Sequence, residues 1–333
     1  MGITLAVPWK GGTFAWDVAR IDLLVRDMYN ETAVYRSLMD KAIAKAGPEP
    51  LRLIIYHDEV TPGDLLHPYH QRKCLCIYGA FYEFGPENLC CTESWIVLGV
   101  LRHCVVNGIP GGMSHALRIY LRSTFISPVR ISDGFYVSDT IVARAVLYMC
   151  IADEAALKDQ YNVKGASGVK PCFCCRNVIS HDRGRERARP FGDYVCAICC
   201  GDTTKFDLAT DEDIWRMYDN LKAMVGVVNK GNFELLERAS GMNYNPHGIL
   251  HDEELRKYVL PASSTRQYPM HCLVANGVCT TEVHVSLVAM QKSWAWGSPS
   301  CPNLRLITGS GGARARASPS CSHQRKKPRA KSR

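Results

Sequence analysis

The spacing of apolar residues predicts that the chain opens with a loop and then forms helices. Residues 1–16 are rich in turn-forming residues and are interpreted as a loop. From Asp17 to about Ala46, apolar residues recur every three or four positions, which predicts one or two amphipathic helices with Asp17 as candidate N-cap. Gly47-Pro48 is expected to stop them, because proline cannot continue a helix.

Short apolar and β-branched segments follow and predict strands. Leu51–Tyr56 is expected to form a buried strand that carries His57-Asp58-Glu59 at its carboxyl end. Further strands are predicted at Cys74–Phe84, Ser94–Val106, Phe135–Val137 and Ile141–Ile151. Ser94–Val106 also fits a strand that runs into a helix, and Ile141–Ile151 also fits a helix. Asp153 comes almost directly after it. Two of the predicted strands are therefore followed by an acidic residue.

Helical spacing returns in the second half of the chain. Helices are predicted at His115–Arg122, Leu157–Tyr161, Thr210–Val228, Phe233–Ala239 and Glu253–Leu260. His271–Met290 is apolar and fits either a strand or a helix. Strands followed by helices predict the α/β (α+β) class, with a mixed sheet and flanking helices.

The composition changes after Trp296, where periodicity ends and Gly, Ser, Arg and Pro dominate. Residues 301–333 hold nine of the 40 Lys and Arg residues and no acid, which leaves 31 basic against 32 acidic residues elsewhere. The expected organisation is a helical segment 1–48, a core 49–290 with a Cys-rich insertion at about 165–205, and a disordered basic tail 291–333. The run Arg325–Lys331 fits a nuclear localisation signal or a phosphate contact, and equally a translated end without function.

Sixteen cysteines are many for a chain that shows no secretory signal and no apolar run long enough to span a membrane. In a reducing compartment, Cys-x-x-Cys pairs hold metal more often than they form disulfides. The pairs Cys172/Cys175 and Cys196/Cys199 therefore predict a structural Zn²⁺ site, with His181 or His271 as replacement ligands. Cys174 and Cys200 are adjacent to these pairs and are alternative ligands if the registry shifts by one residue. The alternative is a set of inert buried cysteines.

Asp58 and Asp153 each follow a predicted strand, which is where a sheet enzyme would hold a divalent metal. Two converging carboxylates suit in-line phosphoryl transfer, because metal ions clamp the attacking and leaving oxygens. The alternative is that Asp58 is a turn residue that solvates a loop.

Three blocks of sequence resemble eukaryotic cut-and-paste transposases of the Kyakuja–Dileera–Zisupton type and related plant- and fungal-type elements. The segment Ile54–Asp64 with Arg72-Lys73 is similar to their first catalytic block. Ala152-Asp153-Glu154, followed by Lys164–Gly168 and the first cysteine pair, is similar to their second aspartate and cysteine knuckle. Met270–Val278 is similar to the point where those proteins carry Asp-x-x-His, and the resemblance spans roughly Leu51 to Val285.

The resemblance implies an RNase H-like fold with an inserted zinc-binding Cys knuckle, in which acidic residues bind Mg²⁺ or Mn²⁺ and activate water to cut DNA. Asp58 and Asp153 would be the first and second catalytic acids. Tyr268 stands where the family has the Asp before its histidine, and Glu282 is the nearby candidate for the third acid. The chain is accordingly interpreted as a truncated or decayed copy, either active or inactive through loss of the third acid, with DNA as its partner and the nucleus as its location.

Two other functions stay open at this point. A non-catalytic, zinc-stabilised module that binds nucleic acid or protein would use Asp58 only as a turn residue. A metal hydrolase would combine His57 and Asp58 with a distant histidine, but the His247/His251 pair lacks the glutamate that follows the first histidine in helical zinc proteases.

Overall fold

The computed structural model describes residues 2–60, 73–171, 173–180, 194–196 and 202–267. Strands in this part of the chain are β1 (Gly2–Trp9), β2 (Gly12–Ala19), β3 (Leu51–Val60), β4 (Cys74–Phe81), β5 (Ile96–Arg102), β6 (Phe135–Tyr136), β7 (Val142–Ala143), β8 (Ala145–Ala152), β9 (Val178–Ile179), β10 (Val195–Cys196) and β11 (Thr265–Gln267). Helices are α1 (Ile21–Glu31), α2 (Ala33–Ala46), α3 (Pro86–Leu89), α4 (His103–Val106), α5 (Gly112–Phe125), α6 (Glu154–Tyr161), α7 (Asp211–Met224) and α8 (Lys230–Ser240).

A seven-stranded mixed sheet in the order β1-β2-β5-β4-β3-β8-β11 forms the centre of the molecule. Strands β3, β4 and β5 are a consecutive antiparallel set, whereas β8 runs parallel to β3 and β11 runs parallel to β8. Hairpin β1–β2 extends the sheet beyond β5. The α/β (α+β) class with a mixed sheet and flanking helices is therefore confirmed.

One face of the sheet contributes its side chains to the hydrophobic core. Leu51, Leu53, Ile55 and His57 of β3 are buried on one face, because side chains on a strand point to opposite faces in turn. Ile54, beside an irregularity in the register with β8, is buried as well. Helices α1, α2, α5, α6 and α7 contribute side chains to the same core, among them the fully buried Met39 and Ile214. On the other face, Val97 and Val100 of β5 stay 49% and 46% exposed. The two faces of the sheet thus differ in access to solvent.

The interpretation of residues 1–16 as a loop is wrong, because they form most of hairpin β1–β2. A two-residue turn at Lys10-Gly11 joins the strands, and both residues take positive φ, of 45° and 77°. Asp17 consequently lies within β2 rather than at a helix N-terminus, and α1 begins at Ile21. Burial of Val7 and Trp16 against the core stabilises the hairpin, although its turn residues suggested a loop.

The other elements follow the expected order with shifted ends. Ile141–Ile151 is extended, as β7 and β8, and not helical. Glu253–Leu260 contains only a short 3₁₀ turn at Leu255–Lys257. The polar strand β11 was not expected, and it lies at the edge of the sheet, beside β8. Within the described residues, no helix is long and apolar enough to cross a membrane.

All described residues belong to one compact unit of the chain. Hairpin β1–β2 and helices α1 and α2 belong to the same unit as the rest of the sheet. The predicted basic tail 291–333 lies outside the described residues.

Candidate functional site

The register between β3 and β8 places Asp58 and Asp153 at neighbouring strand ends. These strands are parallel, and Tyr56 is the register partner of Ile151. Asp58 and Asp153 each come two residues later, and the backbone at Asp153 is still extended, with φ −72° and ψ 173°. Because side chains alternate between faces, both carboxylates lie on the face that carries Tyr56 and Ile151.

Asp58 lies within β3, opposite Cys76 of β4, and not in a turn after the strand. Its Oδ2 accepts a hydrogen bond from the Tyr56 hydroxyl at 2.6 Å, and its Oδ1 accepts one from the Glu59 amide at 2.8 Å. A carboxylate has about four acceptor positions, so both oxygens retain capacity for a further ligand. The interpretation of Asp58 as a loop-solvating turn residue therefore does not apply.

Three aromatic side chains, of Tyr56, Tyr78 and Trp95, form a cluster next to Asp58. The Tyr56 ring stacks on Tyr78 with centroids 5.8 Å apart and meets the edge of Trp95 at 6.0 Å. Burial and a hydrogen bond with Cys76 raise the pKa of Tyr78 to about 12. Tyr78 therefore stays protonated at neutral pH, and this side of the site carries no tyrosinate charge.

Asp153 is the N-cap of helix α6. Its Oδ1 accepts a hydrogen bond from the Ala156 amide at 2.6 Å, which satisfies one of the free N–H groups of the first turn. This cap fixes the direction of the carboxylate relative to β8. Asp153 therefore has a structural role in the helix besides any role in binding.

His57 lies behind the two carboxylates, on the buried face of β3. Its side chain is almost fully enclosed, at 1% exposure, and its Nε2–H donates to Gln160 Oε1 of α6 at 2.7 Å. The backbone carbonyl of Gln160 in turn accepts a hydrogen bond from Ser114 Oγ of α5 at 2.6 Å. These bonds connect β3, α6 and α5, and they hold the helix that Asp153 caps.

Burial lowers the pKa of His57, because desolvation disfavours the imidazolium form. The hydrogen bond with Gln160 and the negative charges of Asp153 and Asp58 offset part of this effect. Both carboxylates thus act electrostatically on one buried ring, which agrees with their placement at adjacent strand ends. His57 is neutral at pH 7 and is a support for the site rather than a cation within it.

Two further acids, Asp159 and Glu59, border the site, and no pattern in the sequence marked Asp159. Partial burial, followed by the charges of Asp153 and Glu59, raises the pKa of the Asp159 carboxyl in α6, while His103 lowers it. Glu59 itself forms an ion pair with Lys73 and lies 3.5 Å from His103. Asp159 was missed because a helical acid six residues after Asp153 carries no motif that marks it.

The structure describes only part of the expected zinc site. Cys175 is buried, and its backbone forms an isolated bridge with Leu208. The two strands β9 and β10 pair in parallel, with Cys196 opposite Ile179, so the second cysteine cluster starts beside the segment that follows the first. Cys172, Cys199, His181 and His271 lie outside the described residues, as does the candidate third acid, Glu282.

Hard carboxylate oxygens at two adjacent strand ends suit Mg²⁺ or Mn²⁺, which is often held by one or two carboxylates together with water and substrate phosphate. Asp58 and Asp153 fit this limited role. No cluster of three or more His, Cys, Asp or Glu side chains able to hold a metal ion occurs within residues 2–60, 73–171, 173–180, 194–196 and 202–267. The described residues therefore place two carboxylates at adjacent strand ends and do not form a complete metal cage.

Comparison with known proteins found no relative of this chain. No protein-family model matches the chain, and no curated protein is similar to it.

Proposed function

We propose that the chain is a transposase-derived, RNase H-like protein that binds DNA and a divalent cation at Asp58 and Asp153. The observation that carries the proposal is the parallel pairing of β3 with β8, whose register brings the two aspartates to adjacent strand ends. The related activity would be phosphodiester cleavage supported by Mg²⁺ or Mn²⁺.

The strand order supports the RNase H-like part of the proposal. An RNase H-like sheet has three consecutive antiparallel strands, followed by two strands that run parallel to the first. Strands β3, β4 and β5 form the antiparallel set, and β8 and β11 follow beside β3 in the required direction. Hairpin β1–β2 is an addition at the β5 edge.

In this proposal each described residue has a distinct task. A cation bound by both aspartates would polarise a phosphate and lower the pKa of a bound water. Asp58 would offer oxygens oriented by the Tyr56 hydroxyl, and Asp153 would offer the oxygen that the Ala156 amide leaves free. His57 and Gln160 would hold the two elements together from behind.

The test is nicking of supercoiled plasmid DNA by the full chain in Mg²⁺ or Mn²⁺, with Asp58→Asn and Asp153→Asn as variants. The proposal expects metal-dependent nicking that each variant reduces at least about 100-fold. Glu49→Gln, a change of the same type in the turn before β3, is the matched control and should nick like the unmodified chain. Equal nicking by all four proteins would indicate a contaminating nuclease.

A second candidate is a zinc-stabilised binding module without catalysis, and the β9–β10 pairing favours it because it brings the two cysteine segments together. It would also suit a nuclear protein whose basic tail contacts phosphates. About one equivalent of zinc, absence of nicking, and salt-sensitive DNA binding that persists in Asp58→Asn would select this candidate over the first.

A further inference from the structure

The outer edge of the sheet is formed by β1, which pairs only with β2 within the described residues. The two-residue turn makes Trp9 and Gly12 a hydrogen-bonded pair, so hydrogen-bonded and non-hydrogen-bonded positions alternate from there. Gly2, Thr4, Ala6 and Pro8 occupy the non-hydrogen-bonded positions. Their backbone N–H and C=O groups, except the N–H that proline lacks, therefore point away from β2.

This edge has few of the features that usually prevent strand pairing. Proteins blunt exposed edges with charged side chains, bulges or prolines. Strand β1 has eight residues, no charged side chain and a regular register with β2 over its whole length. Only Pro8 lacks an outward N–H group, and it lies near the turn. The three outward positions before it carry small side chains and are exposed.

We propose that β1 pairs antiparallel with β1 of a second copy of the chain, in a two-fold symmetric dimer centred on Thr4. This inference does not depend on the proposed function. In that register Thr4 faces its own counterpart, and Gly2 faces Ala6 in both directions. About six backbone hydrogen bonds would form, because each of the three facing pairs exchanges two.

A second copy fits this edge better than an unrelated extended peptide for two reasons. The outward groups of Gly2, Thr4 and Ala6 are spaced symmetrically about Thr4, as an interface between identical surfaces requires. In a symmetric dimer, any charge on β1 would lie near the same charge on the other copy and repel it. Strand β1 has no charged side chain, so this repulsion does not arise. The nearest acid on the adjoining strand, Asp17, accepts a hydrogen bond from Thr4 Oγ1 at 2.6 Å.

The first test is the mass of the full chain by light scattering at about 50 μM, for the unmodified protein, Ala6→Pro and Ala6→Val. The unmodified chain and Ala6→Val should be dimers. Ala6→Pro should be a monomer, because it loses one outward N–H, while the hairpin keeps its own hydrogen bonds, as it does at Pro8. A monomeric unmodified chain, or a dimer that Ala6→Pro leaves intact, would overturn the proposal.

The second test does not depend on how Ala6→Pro folds. Facing residues at a hydrogen-bonded position have Cα atoms about 5.5 Å apart, which a disulfide can span. Thr4→Cys should therefore cross-link two chains under mild oxidation, well above the background of the unmodified chain. Thr13→Cys, which is exposed on β2, should not exceed that background. Equal cross-linking by both variants would refute the register centred on Thr4.

Discussion

At the scale of single residues, Asp153 has a capping role in the structure and a binding role in the proposed function, and substitution can separate the two. Its carboxylate caps α6 through the Ala156 amide, and in the proposed function it also binds a cation. Asparagine caps a helix about as well as aspartate does, but it is a poorer ligand for a divalent metal. The structural role should therefore survive Asp153→Asn, and the proposed binding role should not.

We predict that Asp153→Asn unfolds in urea with nearly the free energy of the unmodified chain, whereas Asp153→Ala loses about 1 kcal/mol. The reason is that alanine leaves the Ala156 amide without its acceptor. Equilibrium unfolding followed by circular dichroism measures both values. Equal stability of the alanine variant and the unmodified chain would show that the cap contributes nothing.

His57 gives a prediction about pH. A buried histidine with a lowered pKa is neutral in the folded chain and becomes protonated on unfolding below about pH 6.5. The unfolded state then binds more protons than the folded state, so the free energy of unfolding falls as the pH decreases. The slope from this one group is at most about 1.4 kcal/mol per pH unit.

His57→Gln should therefore show a shallower loss of stability between pH 6.5 and 5 than the unmodified chain. Urea unfolding at several pH values measures the slope. His115 and His251 also have pKa values lowered by burial, so the slope should decrease but not vanish. His103→Gln is the control, because its side chain is 42% exposed. An unchanged slope in His57→Gln would contradict the assignment of a neutral buried ring.

At the scale of elements, a cluster of ion pairs connects helix α5 with the segment around Asp252, which follows α8. Asp252 has a side chain only 2% exposed, and it accepts hydrogen bonds from Arg118 Nε and Arg122 Nη1, both at 2.8 Å. Burial alone would raise the pKa of Asp252, but the two guanidinium groups outweigh it and the pKa lies below its usual value.

Asp252→Asn should destabilise the chain by about 2–3 kcal/mol, because it leaves two arginines without their buried partner. The matched control is Asp219→Asn, which breaks the ion pair with Arg256 at a side chain that is 43% exposed and should cost less than about 1 kcal/mol. Urea unfolding of both variants at pH 7 compares them directly. Equal losses would show that burial of Asp252 does not decide its contribution.

Elements with strong periodicity could be predicted from the sequence, and elements defined by long-range pairing could not. Helix α7 and strand β3 follow from their local patterns. Hairpin β1–β2 was missed because Lys10 adopts a positive φ that no residue preference indicates. Strand β11 was missed because Thr265-Arg266-Gln267 has neither alternation nor apolar character, and only pairing with β8 makes it a strand.

The candidate site shows the same limit. Asp58 and Asp153 could be selected because each was expected after a strand. That they come to adjacent positions depends on β3 and β8 being parallel neighbours, 95 residues apart in sequence, which spacing alone does not reveal. Gln160 and Asp159 could not be selected, because their roles arise only when α6 packs behind β3.

At the scale of the whole molecule, the proposed cation site and the proposed dimer surface lie toward opposite edges of the same sheet. Strands β3 and β8, near one edge of the sheet, carry the aspartates, and β1, at the other edge, is the proposed surface for a second copy. A continuous sheet through paired β1 strands would place two Asp58–Asp153 sites in one assembly, related by a two-fold axis. Both aspartates of each site would come from one chain, so cation binding by the monomeric Ala6→Pro variant should equal that of the dimer.

Mn²⁺ binding to the full chain, measured by electron paramagnetic resonance of the free ion, tests directly whether Asp58 and Asp153 share one cation. We predict binding of about one Mn²⁺ per chain, weakened at least about tenfold in Asp58→Asn and in Asp153→Asn, and unaffected by Glu49→Gln. Mn²⁺ binding that neither aspartate substitution weakens would contradict a shared carboxylate site at the ends of β3 and β8.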